Sequence, residues 1–268
     1  MATMRGHSPG ARCAARLHGK SYGLVLVVLV ALIALAAGCD ANRPADGRLF
    51  GPHANPGSPT AAPHAVAVAR DDRDAAVLDV VSGATTVTVR AADLGDTLAR
   101  ASTPDDSALA PSIVETDADL QVHLADTGLT GPEALVVELN KDVAWRLRFS
   151  GGATEVTVDG AMAARVDGVD LASGVTRAEL GLPAPHGTTQ VRVAGGASDV
   201  AVHLPSGPPA KVSIGGGAAT VKVDGATHSG VSAGTVFAPS GWDAADDRFD
   251  IAATSGVSTL TVDRLNGK

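Results

Sequence analysis

The sequence predicts an all-β protein: a β-solenoid or flattened two-sheet stack of repeats about 21 residues long, with little helix. Three observations carry this. A short segment that starts with Gly and runs into alternating aliphatic residues recurs along the chain. Several of its copies stand at nearly constant intervals. Aromatic residues make up only 3% of the 268 residues, whereas Gly and Val are abundant. The core must therefore come from Val, Ala and Leu, and a Val- and Gly-rich chain with few helix-period segments favours strands.

The first residues carry Arg5, Arg12, Arg16 and Lys20, with no acidic residue before Asp40. An apolar stretch of 14 residues follows, Leu24 to Ala37. It fits the hydrophobic region of an export signal and is too short for a spanning helix, which needs roughly 20 residues. Ala36, Ala37 and Gly38 then precede Cys39. This run resembles the lipobox of bacterial lipoproteins, with Leu35 one place earlier than usual. The resemblance implies a signal peptide over 1–38, cleavage between Gly38 and Cys39, and diacylglycerol on Cys39. Two acyl chains hold a protein to a bilayer where one holds it only marginally. Cys13 lies in the signal and Cys39 would be blocked by lipid, so no thiol remains for a disulfide, a metal or a nucleophile.

Residues 39–75 read as a tether. Pro44, Pro52, Pro56, Pro59 and Pro63 alternate with Gly47, Gly51 and Gly57, a composition that buries too little apolar surface to fold. His53 and His64 fall in it as isolated residues.

Residues 76–264 form the repeat domain. Gly83-Ala-Thr-Thr-Val-Thr-Val89, Gly152-Ala-Thr-Glu-Val-Thr-Val158, Gly196-Ala-Ser-Asp-Val-Ala-Val202, Gly217-Ala-Ala-Thr-Val-Lys-Val223 and Gly256-Val-Ser-Thr-Leu-Thr-Val262 share one pattern, with a looser copy at Gly174. The glycines at 152, 174, 196 and 217 are 22, 22 and 21 residues apart, and the step to 256 is 39, close to two more units. Period-two alternation turns Val156, Val158, Val200, Val202, Val221 and Val223 to one face. Second strands precede the glycines at Trp145–Phe149, Gln190–Val193 and Lys211–Ile214. The glycines suit turns or crowded backbone. One unit cannot cover its own apolar face, but stacked units can. Residues 91–100 are the one helix-like stretch, and Gly95 argues against it.

The Gly-Ala-x-x-Val-x-Val units, the opening Val81–Arg90 and links such as Leu204-Pro-Ser-Gly207 resemble the toastrack domains. These are bacterial β-solenoid modules named for adhesion, found also in cell-wall-active-antibiotic response proteins. The resemblance implies a right-handed stack of short strands, no catalytic motif and an envelope-stress neighbourhood.

With the signal removed, 17 basic residues face 29 acidic ones, a net charge of −12. That argues against nucleic acid as a partner. No Gly-x-Ser-x-Gly elbow accompanies His123, His186, His203 and His228. His203 alternates with Val202 and Leu204 and should point outward. Asp71, Asp72 and Asp74 cluster before the first repeat, and Asp243, Asp246, Asp247 and Asp250 near the end, but neither group follows a calcium-loop pattern. No pair of carboxylates stands out for glycoside hydrolysis. Trp145 is in phase with Val143, Leu147 and Phe149 and belongs to the core. Trp242 lies in a loop and is either a surface contact residue or a plug for the last rung.

No catalytic residue, metal site or cofactor is expected. The sequence reads as a lipid-anchored, extracytoplasmic, non-catalytic module acting in the cell envelope by structure, adhesion or sensing. Its partners would be the membrane, through Cys39, and a cell-wall polymer or a membrane signalling protein. The alternatives are an envelope hydrolase with an unrecognised active site and an accessory lipoprotein of a stress-signalling system.

Overall fold

The computed structural model describes residues 63–116, 119–159 and 164–265. They contain nineteen strands and no helix. In chain order these are β1 (Ala65–Ala69), β2 (Ala75–Val80), β3 (Ala84–Ala92), β4 (Thr97–Ser102), β5 (Leu109–Thr116), β6 (Asp119–Asp126), β7 (Ala134–Asn140), β8 (Ala144–Phe149), β9 (Ala153–Val158), β10 (Arg165–Leu171) and β11 (Val175–Gly181). Then follow β12 (Thr188–Val193), β13 (Ala197–Leu204), β14 (Ala210–Ile214), β15 (Ala218–Val223), β16 (Ala226–Val231), β17 (Thr235–Phe237), β18 (Arg248–Ala253) and β19 (Val257–Arg264).

Two sheets result. One has ten strands in the order β1-β4-β7-β3-β9-β11-β13-β19-β15-β16, the other nine in the order β17-β14-β18-β12-β10-β8-β2-β6-β5. Consecutive strands such as β8 and β9, or β12 and β13, place one member in each sheet and make one rung. Seven rungs stack in parallel. The two-sheet stack expected from the repeats is the fold.

Its rung order departs from chain order at both ends. The β6–β7 rung lies outside the β2–β3 rung, and the β18–β19 rung inserts between β12–β13 and β14–β15. The 39-residue step from Gly217 to Gly256 is therefore not two further rungs in line. It holds β16 and β17, which close the two sheets antiparallel, before the chain returns in β18. At the other end β1 and β4 extend the ten-stranded sheet and β5 the nine-stranded one, again antiparallel.

The β domain begins at Ala65, so the last part of the 39–75 segment is not tether. β1 reads Ala-Val-Ala-Val-Ala and pairs with β4 across all five residues, burying Val68. That short alternation is hidden in the sequence by Pro63 on one side and a charged turn on the other. The signal over 1–38, Gly38, Cys39 and the segment up to residue 62 lie outside the described residues.

The core is a single band of Val, Leu and Ala between the sheets, widened by Trp145, Phe149 and Phe249. Trp145 is fully buried, as its phase requires, and its Nε1 donates to the Asn140 carbonyl at 3.0 Å. Asn140 is buried too, and its amide donates to the carbonyls of Gly95 and Thr97 at 2.9 and 2.7 Å. This holds the β3–β4 connection, where a left-handed Gly95 (φ 55°) takes the place of any helix.

The recurring glycines line one corner of the stack. A backbone ladder runs through them: Ala84 N–H donates to Gly152 O, Ala153 to Gly174, Val175 to Gly196, Ala197 to Gly256 and Val257 to Gly217, at 3.1–3.3 Å. Close approach is the requirement at the glycine just before three of them, at 151, 195 and 216, whereas most of the recurring positions leave room for a Cβ and Gly217 is left-handed (φ 84°). A Cβ on Gly195 would lie 1.9 Å from the Ser173 carbonyl oxygen, and one on Gly151 2.2 Å from that of Ser82.

Candidate functional site

Alternation leaves each sheet one face toward the core and one toward solvent, and the outward faces carry the chemistry. On the ten-stranded sheet one row across the strands reads Thr86, Glu155, Arg177, Asp199, Thr259 and Thr220. The next reads Thr88, Thr157, Glu179, Ala201, Thr261 and Lys222. On the nine-stranded sheet one row reads Asp79, Arg148, Asp170 and Arg192. Its neighbour reads Val77, Arg146, Gly168, Gln190, Asp250 and Lys211.

His203 points outward, as predicted. Its Nδ1 lies 2.6 Å from Asp263 Oδ1 and its Nε2 3.6 Å from Glu179 Oε1. His203 and Glu179 border a shallow depression of about 270 Å³, whose lining includes Arg177, Asp199 and Thr259. An imidazole between two carboxylates has the base and orienter of a triad, but no hydroxyl nucleophile is hydrogen-bonded to it among the described residues.

The other histidines are dispersed. His123 is part-exposed on β6, and His228 on β16 stands with its ring 4.6 Å from that of Phe237. His186 is exposed and borders an open cavity of about 450 Å³ with Asp74, Lys141, Asp142 and Arg165. His64, in the segment read as tether, sits beside Thr103, its Nδ1 2.9 Å from the hydroxyl.

Neither aspartate cluster gathers around a cation. Asp71 and Asp74 pair with Arg73 and Arg70, both at 3.4 Å. Asp250 pairs with Lys211 at 3.0 Å, and Asp247 accepts from the Gly187 N–H at 2.6 Å. Among the described residues no group of three or more His, Cys, Asp or Glu is placed to hold a metal. Elsewhere, the Lys141 ammonium 3.0 Å from Asp93 holds that carboxyl below its usual range and is itself raised in return.

Trp242 lies against the outward side of the nine-stranded sheet. It is buried to 9% exposure, its Nε1 donates to the Phe249 carbonyl at 2.8 Å, and Lys211 and Arg248 lie over its ring, 3.8 and 4.5 Å from the centroid. The ring is thus occupied within the molecule, on the outward side of β14 and β18 and apart from the core band. Sequence reasoning missed the charged rows of the nine-stranded sheet. Arg146 and Arg148 alternate with Trp145 and Leu147, but the pairing of β8 with β2 and β10, and of β10 with β12, is not readable from any one repeat.

The fold has a counterpart among solved structures. A protein named for cell adhesion from Clostridium sporogenes is similar at a TM-score of 0.54 and 15% identity, over 75% of this chain and 98% of that one. A protein named an adhesin from Bacteroides fragilis aligns over 74% and 95% of the two chains at 9% identity and a TM-score of 0.25. No protein-family model matches the sequence, and no curated protein does either. The first likeness shows a shared all-β fold with an adhesion-named protein.

Proposed function

We propose that this chain is a non-catalytic binding module of the cell envelope, anchored by lipid on Cys39, that adheres through the outward faces of its sheets. The observation that carries the reading is the pair of broad outer faces, each a regular array of charged and hydroxyl side chains on a rigid stack. Such an array suits contact with an extended partner better than enclosure of a small substrate. The lipobox-like run before Cys39 and the adhesion-type fold support the same reading. The lipid would hold the module at a membrane, and the Pro- and Gly-rich segment would set its reach.

Two measurements test it. Cys39→Ser should abolish incorporation of radioactive palmitate and release the protein from membranes; undiminished labelling refutes the anchor. The full-length protein should be retained on isolated cell envelopes after the lipid is removed enzymatically, and absence of retention refutes adhesion by the sheets.

A further inference from the structure

The outer face of the nine-stranded sheet carries one row in which charge alternates over four adjacent strands: Asp79 on β2, Arg148 on β8, Asp170 on β10 and Arg192 on β12. On the ten-stranded sheet the row Arg100, Glu138 and Arg90, continued by Asp159, also alternates, but there Arg90 and Arg100 are already paired with Glu138 at 2.9 and 3.4 Å. A −+−+ row is its own complement when turned end for end. We propose that this face binds a second copy of the chain, face to face about a two-fold axis that runs parallel to the strands between β8 and β10. The inference rests on the adhesive reading above, which leaves the partner open, and it names that partner.

The axis puts Asp79 opposite the second copy's Arg192 and Arg148 opposite its Asp170, and symmetry repeats both contacts. Four opposite-charge contacts form from one row. Side-chain length fits as well. Arg148 and Arg192 are exposed, whereas Asp79 and Asp170 are short and half-buried. Long side chains of one copy thus stand over short ones of the other. Among the described residues Arg146 and Arg192 have no ion pair, and Arg148 has only a distant one, 3.9 Å from Asp79. The like-signed residues brought together, Asp119 and Asp250, lie toward the rim, and Asp250 is already held by Lys211 at 3.0 Å.

Within one chain the row is costly. Oδ1 of Asp79 and Oδ1 of Asp170 are buried without a hydrogen-bond partner among the described residues. Charges that served only solubility would sit in water. Six strands, β6 to β18, about 4.8 Å apart and about five residues long give a face of about 450–500 Å² per copy. That is near the smallest area of a specific interface, so the pairing is weak and reversible. Many anchored copies on one surface would multiply it.

Sedimentation of the full-length protein in detergent, over rising concentration, tests this. The wild type should pass from monomer to dimer at about 0.1 M salt and stay monomeric at 1 M, where screening acts within about 3 Å. Asp79→Arg and Arg192→Asp each place like charges opposite each other and should be monomeric alone. Mixed in equal amounts they restore every contact and should dimerise. Intramolecular repair cannot mimic this, because residues 79 and 192 lie three strands apart, about 14 Å. Circular dichroism melts confirm that each variant is folded. Should a reversal fail to fold, Asp79→Asn and Arg192→Gln read the same contact, each weakening association about tenfold or more. A wild type that stays monomeric, a folded mixture that does, or neutral variants that associate undiminished overturns the proposal. Retention on envelopes, measured in the same samples, separates the two readings: a monomeric protein that is still retained sinks self-pairing and leaves adhesion standing.

Discussion

Two adjacent glycines should respond in opposite ways to the same substitution. A Cβ on Gly195 would lie 1.9 Å from the Ser173 oxygen and 2.1 Å from its carbonyl carbon, both backbone atoms of the neighbouring rung. A Cβ on Gly196 would meet nothing within 4 Å. Gly195→Ala must push the rungs apart by more than an ångström at the corner, where the N–H groups of Ala194 and Gly195 both donate to Leu171 O at 2.9 Å. Overpacking of this kind costs about 1–3 kcal/mol, and each weakened hydrogen bond adds about 0.5–1.5 kcal/mol. The expected loss is therefore about 2–5 kcal/mol, a fall in melting temperature of roughly 5–15 °C for a domain of this size. Gly196→Ala should cost nothing or stabilise by about 0.4–1 kcal/mol, because it restricts the unfolded chain. Thermal and urea unfolding of both variants gives the answer. Equal losses in the two, or an unchanged Gly195→Ala, would refute the view that backbone crowding selects glycine at this corner.

Val202 is fully buried between Leu180 and Val262 of the adjoining rungs, so Val202→Asp should destabilise by about 4 kcal/mol or more. Val223, at the capped end and only half-buried, should lose much less on the same change; equal losses in urea melts would contradict the graded burial. Trp242→Ala should cost about 2–4 kcal/mol by leaving a cavity under Lys211 and Arg248, with the largest loss of hydrogen-exchange protection over 235–253. A change under 0.5 kcal/mol would return Trp242 to the surface.

The interior of each rung was legible because alternation and glycine spacing are local properties. Val156–Val158, Val200–Val202 and Trp145–Phe149 lie where their phase puts them, and His203 faces out for the same reason. The β6–β7 rung was not legible. Its corner, from Thr127 to Glu133, lacks the Gly-Ala signature, although Leu120-Gln-Val-His-Leu124 and Leu135-Val-Val-Glu-Leu139 alternate as clearly as any repeat. Rung order was illegible in principle, since each rung offers much the same hydrogen-bonding edge on either side. What settles it is closure of the ends by β1, β4, β5, β16 and β17, a property of the whole chain. The charged row fell outside sequence reading for the same reason: Asp79 and Arg192 are 113 positions apart in the chain and share one row only through register.

The insertion of β18–β19 as an inner plank has a consequence for biogenesis. The β14–β15 rung, though made earlier, has no parallel neighbour to dock against until the last strands arrive. Until β18–β19 is in place, β12–β13 and β14–β15 each present an unmated sheet border. Closing a stack of such high contact order is intrinsically slow. The plank that follows β14–β15 in the chain is thus the one that locks it in register, and the two halves of the stack are joined by a single late step.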